Sequence, residues 1–326
     1  MVVTVPGAKV GEGLRPVDMA RDVPQIVELL KLVFGDAIEI DDRQWLSDGS
    51  GGSVESLLFR LNPATARLSN GFVWQADGRI VGNITLLTTK VWDRYLVANV
   101  AVHPNYRRRG IARAMMQAVT SAVKTRGGRA ILLQVVKDNY PAIDLYRELG
   151  YVSVGHMTTW YAPASRLRQL APDNGFEQEI RPLATRRWRE AYELDTTCVP
   201  ADLNWPDPLR PDAYRQSLWQ RIGDFMNSRK WEVWAVADQR DQLAGLATIG
   251  GQWGRSHLVT LRVRPDQAGL LERALLAKVI RRLHYLPRRN VRIDHPDSDA
   301  LTNSLLQEAN FTVQRTLTHM RLDLSR

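Results

Sequence analysis

Apolar and polar positions alternate along this chain with two periods, and the period switches at regular intervals. Leu14-Arg15-Pro16-Val17 reads as a short strand. Ile26, Leu29, Leu30 and Val33 then recur at spacings of three and four and predict a helix, with Asp22 as its cap and Pro24 in its first turn. Phe72-Val73-Trp74 and residues 79–86 flank Asp77-Gly78, a strong two-residue hairpin signal. A strand over 96–102 follows, then a helix carrying Ile111, Met115, Ala118 and Ala122, and then the strand Ile131-Leu132-Leu133-Gln134-Val135. A second helix is capped by Asn139, tolerates Pro141 in its first turn and is closed by Gly150 before a strand resumes at Tyr151. On it Ala142, Leu145 and Leu149 form the expected core stripe, with Asn139, Ile143 and Tyr146 on a neighbouring face. The strand after the Ile111 helix must return parallel while the hairpins are antiparallel, so the sheet is mixed.

Residues 35–69 are less regular. Asp48-Gly49-Ser50-Gly51-Gly52-Ser53 reads as a loop, and the flanking Trp45, Leu57, Leu58 and Phe59 read as helical pieces. Beyond Ala162-Pro163-Ala164-Ser165 the composition shifts, and residues 166–176 read as a linker with a short basic helix. The order of elements then repeats. Ile180-Arg181-Pro182 echoes Leu14-Arg15-Pro16, the hairpin of 231–245 echoes that of 72–82, Val263-Arg264-Pro265 echoes Val102-His103-Pro104, and Asn310-Phe311 echoes Gly150-Tyr151. The near-constant offset is the mark of a duplication. The expected organisation is a loose tail over 1–13, a first domain over 14–164, a linker over 165–178 and a second domain over 179–326. The fold class is α/β (α+β), each domain a mixed twisted sheet flanked by helices.

Length agrees: 326 residues exceed what one hydrophobic core usually supports. With 44% hydrophobic and 24% charged residues the composition is that of a globular protein, and no apolar run approaches a membrane span. No signal peptide is expected. The single cysteine, Cys198, excludes an internal disulfide framework and suits a reducing cytoplasm; in its polar surroundings it reads as an incidental thiol. The formal charge of +9 would steer polyanions, but no nucleic-acid motif accompanies it, so an anionic cofactor or small acidic molecule accounts better for part of the excess.

One stretch defies the usual electrostatics. Arg107-Arg108-Arg109-Gly110-Ile111-Ala112 lies where a strand feeds a helix N-terminus, whose exposed N–H groups disfavour cations. A bound phosphate would reverse the sign, and Gly110 and Ala112 leave the backbone approachable. A solvated arginine cluster is the bland alternative.

Arg107-x-x-Gly110-x-Ala112 resembles the pyrophosphate-binding signature of the GNAT superfamily of N-acetyltransferases. Asn139-x-x-Ala142-x-x-Leu145-Tyr146-x-x-x-Gly150-Tyr151 resembles that family's second motif, in the right order and on the right elements. The resemblance covers residues 14–161. It implies acetyl-CoA as co-substrate, no metal, and transfer of an acetyl group to a primary amine of a small molecule or peptide by direct attack in a ternary complex. It implies that the cofactor is held by Val100, Ala101, Val102, Arg107, Arg108, Arg109, Gly110, Ile111, Ala112, Arg113, Asn139 and Tyr146. Asn139 would touch the pantetheine arm, and Tyr146 would protonate the departing thiolate. N–H groups of Val100 to Val102, at a bulge in the strand, would donate to the oxyanion. Leu96-Val97-Ala98-Asn99 offers no carboxylate where many relatives have a glutamate. By type, Glu39, Asp41, Asp42, His103 and His156 are candidate bases, beside a water relay. The 48–53 loop reads equally as a lid or as an exposed linker. A non-catalytic acyl-CoA-binding protein of the same fold is the alternative function, and nucleic-acid binding a minor third.

In the second half the chemistry is gone. Leu270 stands for Gly110, Glu272 for Ala112, Leu306 for Tyr146 and Asp299 for Asn139, and a carboxylate at Glu272 would repel a pyrophosphate. That domain is expected to be structural, to wall the acceptor pocket, and to place Asp202, Asp207 or Asp212 near the entrance if the acceptor is cationic.

Overall fold

A computed structural model describes residues 12–46, 71–171, 179–204, 208–215, 229–252 and 256–324, with the backbone alone of 36–46, 229–230 and 252. The loop over 48–53, Asp207, Leu57, Leu58 and Phe59 lie outside the described residues, as do the side chains of Glu39, Asp41, Asp42 and Trp45.

The chain forms two compact units. Among the described residues the first takes 12–46, 71–154 and 319–324, and the second takes those between 155 and 318. The units therefore part at Val154 and again at Thr318, and not at the expected boundary of 164. The reason is that each half ends in a strand belonging to the other unit. Apolar alternation fixes which face of a strand is buried but does not name its neighbour.

In the first unit β1 (Gly13–Pro16), β2 (Phe72–Ala76), β3 (Arg79–Thr88) and β4 (Arg94–Val102) pair antiparallel in turn, and β5 (Ala130–Val136) pairs parallel with β4. The tail of the last strand, from His319, lies beside β5. Asp77 and Gly78 take φ of 51° and 73° between β2 and β3, the left-handed pair that a tight hairpin requires. Helix α1 (Val23–Leu46) packs Ile26, Leu29 and Leu30 on Val73, Ile80 and Ala101. The alternate residues Val81, Val97 and Ile131 pack with α2 (Ile111–Thr125) and α3 (Tyr140–Glu148), so helices cover both faces. At Gly82 the approach is tight: a Cβ there would meet Ile111 Cγ2 at 3.0 Å and Met115 Sδ at 3.2 Å.

Asp22 does stand immediately before α1, but its carboxylate does not cap it. Both oxygens accept from the Arg15 guanidinium, at 2.5 and 2.8 Å, and one also accepts from the Asp18 N–H at 2.8 Å. A charged donor outcompetes the helix N–H groups, and it holds Asp22 down at about 2, below the ordinary carboxylate range.

The second unit repeats the plan. β6 (Val152–Pro163) from Gly155 onward, β7 (Arg181–Pro182), β8 (Arg229–Ala237), β9 (Leu243–Gln252), β10 (His257–Val263), β11 (Asn290–Pro296) and the first part of β12 (Thr312–Asp323) lie in the order β12-β6-β11-β10-β9-β8-β7. Only β10 and β11 are registered as a parallel pair. α4 (Trp188–Cys198), α5 (Glu272–Leu283) and α6 (Ala300–Glu308) take the places of α1, α2 and α3. Gly245 matches Gly82: a Cβ there would meet Leu275 Cδ1 at 2.8 Å and Leu271 Cδ1 at 3.4 Å. Leu271 and Leu275 thus pack where Ile111 and Met115 pack. Of the stretch 166–176 expected to hold a short basic helix, 172–176 lie outside the described residues, and between 163 and 171 the chain makes a 3-10 turn, Ala164–Arg166.

Candidate functional site

The first unit's sheet opens at one place. β4 and β5 pair from Arg94 opposite Ala130 to Val97 opposite Leu133, and the ladder stops there, while β4 stays paired with β3 as far as Val102. Residues 98–102 therefore have a strand partner on one edge only among the described residues. The pairing with β3 is also irregular: Ala101 faces Asn83 and Ala98 faces Thr85, so Ile84 alone faces Asn99 and Val100. This is a β-bulge, with Asn99 in the left-handed region at φ 53°. Asn83 is buried, and its Nδ2 donates to the Asn99 carbonyl at 2.9 Å.

Past β4 the chain makes a 3-10 turn, Pro104–Tyr106, with His103 as cap: Asn105 N–H donates to His103 Nδ1 at 3.2 Å. Arg108 at φ 62° and Gly110 at φ 77° then swing the backbone into α2. Gly110 permits this because it has no Cβ. No N–H group from Arg108 to Arg113 donates to a carbonyl or carboxylate among the described residues. Six neighbouring donors at a helix start form a cradle for an anion.

The arginines are sorted by their partners. Arg107 Nε donates to the Val102 carbonyl at 3.3 Å, Arg109 lies 4.9 Å from the Tyr106 ring centre, and Arg113 pairs with Glu148. Tyr106 is itself pinned by its hydroxyl donating to Asp77 at 2.7 Å. Arg108 is exposed.

Asn139 caps α3, its Oδ1 accepting from Ala142 N–H at 3.4 Å. On that helix the buried pair is Ile143 and Tyr146, with Ala142, Leu145 and Leu149 only partly covered. Tyr146 thus lies on the core face and not beside it, because the apolar sheet side of α3 extends one residue further round than the Ala142 stripe indicates. Its ring sits 5.9 Å from that of Tyr151. Burial pushes the Tyr146 phenol up to about 12, so at neutral pH it is a proton donor and not a base.

The second unit shows what happens when the cradle is filled. Its loop, Ala268-Gly269-Leu270 between the 3-10 turn Pro265–Gln267 and Leu271, is one residue shorter than Arg107-Arg108-Arg109-Gly110 before Ile111. The Glu272 carboxylate accepts from Gly269 N–H at 2.9 and 3.0 Å and from Leu271 N–H at 3.2 Å. It occupies these two donors and is itself buried. β9 and β10 pair without a bulge, with Leu246 facing Arg262 where Asn83 faces Ala101. Arg262 is locked to buried Asp195 at 2.5 Å, which also accepts from Tyr214 Oη at 2.5 Å. Leu306 replaces Tyr146, and Asp299 caps α6 as Asn139 caps α3.

Of the other residues singled out by sequence, His103 stays with the loop of the first unit, whereas His156 belongs to the second, its Nδ1 within 2.9 Å of Thr318 Oγ1. Asp202 and Asp212 also lie in the second unit, Asp212 paired with Arg210. Burial raises the Cys198 thiol to about 11, which keeps it un-ionised. A cavity of about 470 Å³, lined by Arg94, Arg129 and Arg321 with Asp93 and Asp323, lies at the start of β4, the end opposite the bulge. Among the described residues no group of His, Cys, Asp and Glu could hold a metal, and no helix is long and apolar enough to cross a membrane.

Sequence reasoning passed over Asn83 and the role of Glu272. The first was signalled by a lone amide in the apolar run Ile80-Val81-Gly82-Asn83-Ile84.

The model of the Acetyltransferase (GNAT) family matches residues 37–151. An N-alpha-acetyltransferase of Sulfurisphaera tokodaii is 35% identical over 103 residues, 28% of this chain and 61% of that protein. The chain thus spans under two thirds of that relative's length. A GCN5-related N-acetyltransferase of Sphaerobacter thermophilus superposes with a TM-score of 0.60 at 16% identity over 95% of both chains. A tandem GNAT protein from the clavulanic acid biosynthesis pathway superposes with a TM-score of 0.51 at 17% identity, over 96% of this chain and 98% of its own. These superpositions establish the fold of both halves.

Proposed function

We propose that the GNAT acetyltransferase domain carried by the first half binds one acetyl-CoA per chain and transfers its acetyl group to a primary amine of a small molecule or peptide. The observation behind this reading is the contrast between the two loops: six N–H donors from Arg108 to Arg113 have no acceptor among the described residues, while in the second unit Glu272 accepts from Gly269 and Leu271 and the Gln267 carbonyl accepts from Leu270. The donor set fits a pyrophosphate in charge and in approach, since a Cβ on Gly110 would meet nothing within 4 Å and Arg107, Arg108 and Arg109 add positive charge in the same loop.

When bound, acetyl-CoA supplies an acyl group activated as a thioester. The chain's own residues do the rest. The cradle from Arg108 to Arg113 anchors the diphosphate, and Asn139 at the head of α3 orients the pantetheine arm. On the open edge of β4 the N–H groups of Val100 and Val102 donate to the carbonyl oxygen, stabilising negative charge as it develops, while the Ala101 N–H between them faces β3. Tyr146, held protonated, gives its proton to the departing sulfur. With no carboxylate on 96–102, the attacking amine loses its proton through water or enters neutral.

The absence of that carboxylate also favours a second reading, an acyl-CoA-binding protein without turnover. Release of free coenzyme A, followed with a thiol reagent over a panel of primary amines, tests the two. Amine-dependent release supports transfer, and tight acetyl-CoA binding with no release above hydrolysis for any amine supports the second reading.

A further inference from the structure

We infer that Asn83 is a positioning residue for acyl transfer: its buried amide holds the β4 bulge that aims the open-edge N–H groups of Val100 and Val102 at the acyl carbonyl. The inference rests on the reading of the first unit as an acetyl-CoA site.

The chain carries its own control. Both units contain the same antiparallel pair, β3 with β4 and β9 with β10, and both pairs pass a glycine packed under a helix, Gly82 and Gly245. From those glycines the pairings run in step for one residue, Asn83 facing Ala101 and Leu246 facing Arg262. They then diverge. The second unit continues residue for residue, with Leu261 facing Ala247 and Thr260 facing Thr248. The first inserts one residue, places Asn99 at φ 53°, and resumes with Ala98 facing Thr85.

A bulge turns one carbonyl out of the ladder, and a buried carbonyl without a donor is costly. The outturned carbonyl here is that of Asn99, and Asn83 Nδ2 meets it at 2.9 Å from a side chain that is 1% exposed. Asn99 Nδ2 lies 3.5 Å from Thr85 Oγ1 across the same irregularity. Leu246, at Asn83's place in the second unit, has no donor to offer, and there the ladder is regular. The amide thus goes with the bulge, and the bulge lies on a stretch of β4 whose outer edge has no strand partner among the described residues.

The test compares Asn83→Leu with the same change combined with deletion of Asn99, which restores the second unit's uninterrupted pairing. Three readouts are taken: the amide resonances of Val100 and Ala101 without cofactor, the carbonyl carbon shift of bound [1-¹³C]acetyl-CoA, and coenzyme A release together with coenzyme A affinity and Tm. Asn83→Leu should move both amide resonances, abolish the downfield carbonyl shift and slow release on the order of 10²-fold, with coenzyme A affinity within about twofold of the parent. The combined variant should recover Tm but neither the carbonyl shift nor turnover. A merely structural role would return all of them together, and that result overturns the inference. So do unmoved amide resonances in Asn83→Leu. If the parent chain binds no acetyl-CoA, the cofactor reading fails, and the amide resonances alone still decide whether Asn83 holds the bulge.

Discussion

The carboxylate of Glu272 receives the backbone N–H of Gly269 on both its oxygens, at 2.9 and 3.0 Å. One residue of the second half thereby does internally what an external anion would do at the corresponding loop of the first. Sequence reading expects Glu272 to repel a phosphate, and the structure shows its carboxylate accepting from the loop's own N–H groups. Glu272→Ala is expected to cost about 2 kcal/mol, since it strips a buried charge-assisted acceptor from two N–H groups. Thermal unfolding checks this, and an unchanged Tm would mean that the donors find water at no cost.

Tyr146 carries no charge near neutrality, so Tyr146→Phe should leave coenzyme A affinity intact and lower kcat about 10²-fold. The phenol, at about 12 in the folded chain, sits above the ordinary value of 10.0, so the unfolded chain releases this proton first. Stability from this group is therefore full below pH 10 and falls as pH rises toward 12. Alkaline unfolding of parent and variant should separate in that window, and kcat unchanged with chemistry rate-limiting would remove Tyr146 from the mechanism.

Asp22 titrates in the opposite sense. Arg15 holds it at about 2 against an ordinary 3.8, so the unfolded chain takes up the proton first as pH falls. The pair's contribution, about 2 kcal/mol, is present above pH 4 and is lost between 4 and 2. Asp22→Asn should flatten acid unfolding across that interval; a parent-like acid limb in the variant would show that Asp22 does not drive it.

What could be read in the chain beforehand was local. Gly110, the Asn139 cap, the Asp77-Gly78 turn and the apolar face of Ile111 and Met115 each depend on neighbours a few residues away, and the structure places them on the expected strand ends and helix starts. What escaped depends on distant partners. Asp22 left the helix for Arg15, Asn83 acts on Asn99 across a strand pair, and Tyr146 is buried by the sheet it faces. The last strand of each half crosses to the other unit, and no periodicity within that strand reveals it.

That crossing makes a sharp expectation. A chain ending at 164 lacks Met320, fully buried in the first unit's core, and the Leu324 N–H that donates to the Arg129 carbonyl at 2.8 Å. It also lacks His319, whose Nε2 lies 2.9 Å from Gln134 Nε2. It should be poorly soluble or strongly destabilised, as an unpaired β5 edge dictates. A soluble fragment as stable and active as the parent would show that the first unit is complete without those residues.

The central claim is one acetyl-CoA site per chain, held by the loop of the first half. Calorimetric titration of the full chain with coenzyme A tests it most directly, run beside Gly110→Val and Leu270→Ala. One equivalent should bind to the parent and to Leu270→Ala, and Gly110→Val, forced off its φ of 77° with a branched side chain over the cradle, should lose binding. Two equivalents in the parent, or undiminished affinity in Gly110→Val, would contradict the account.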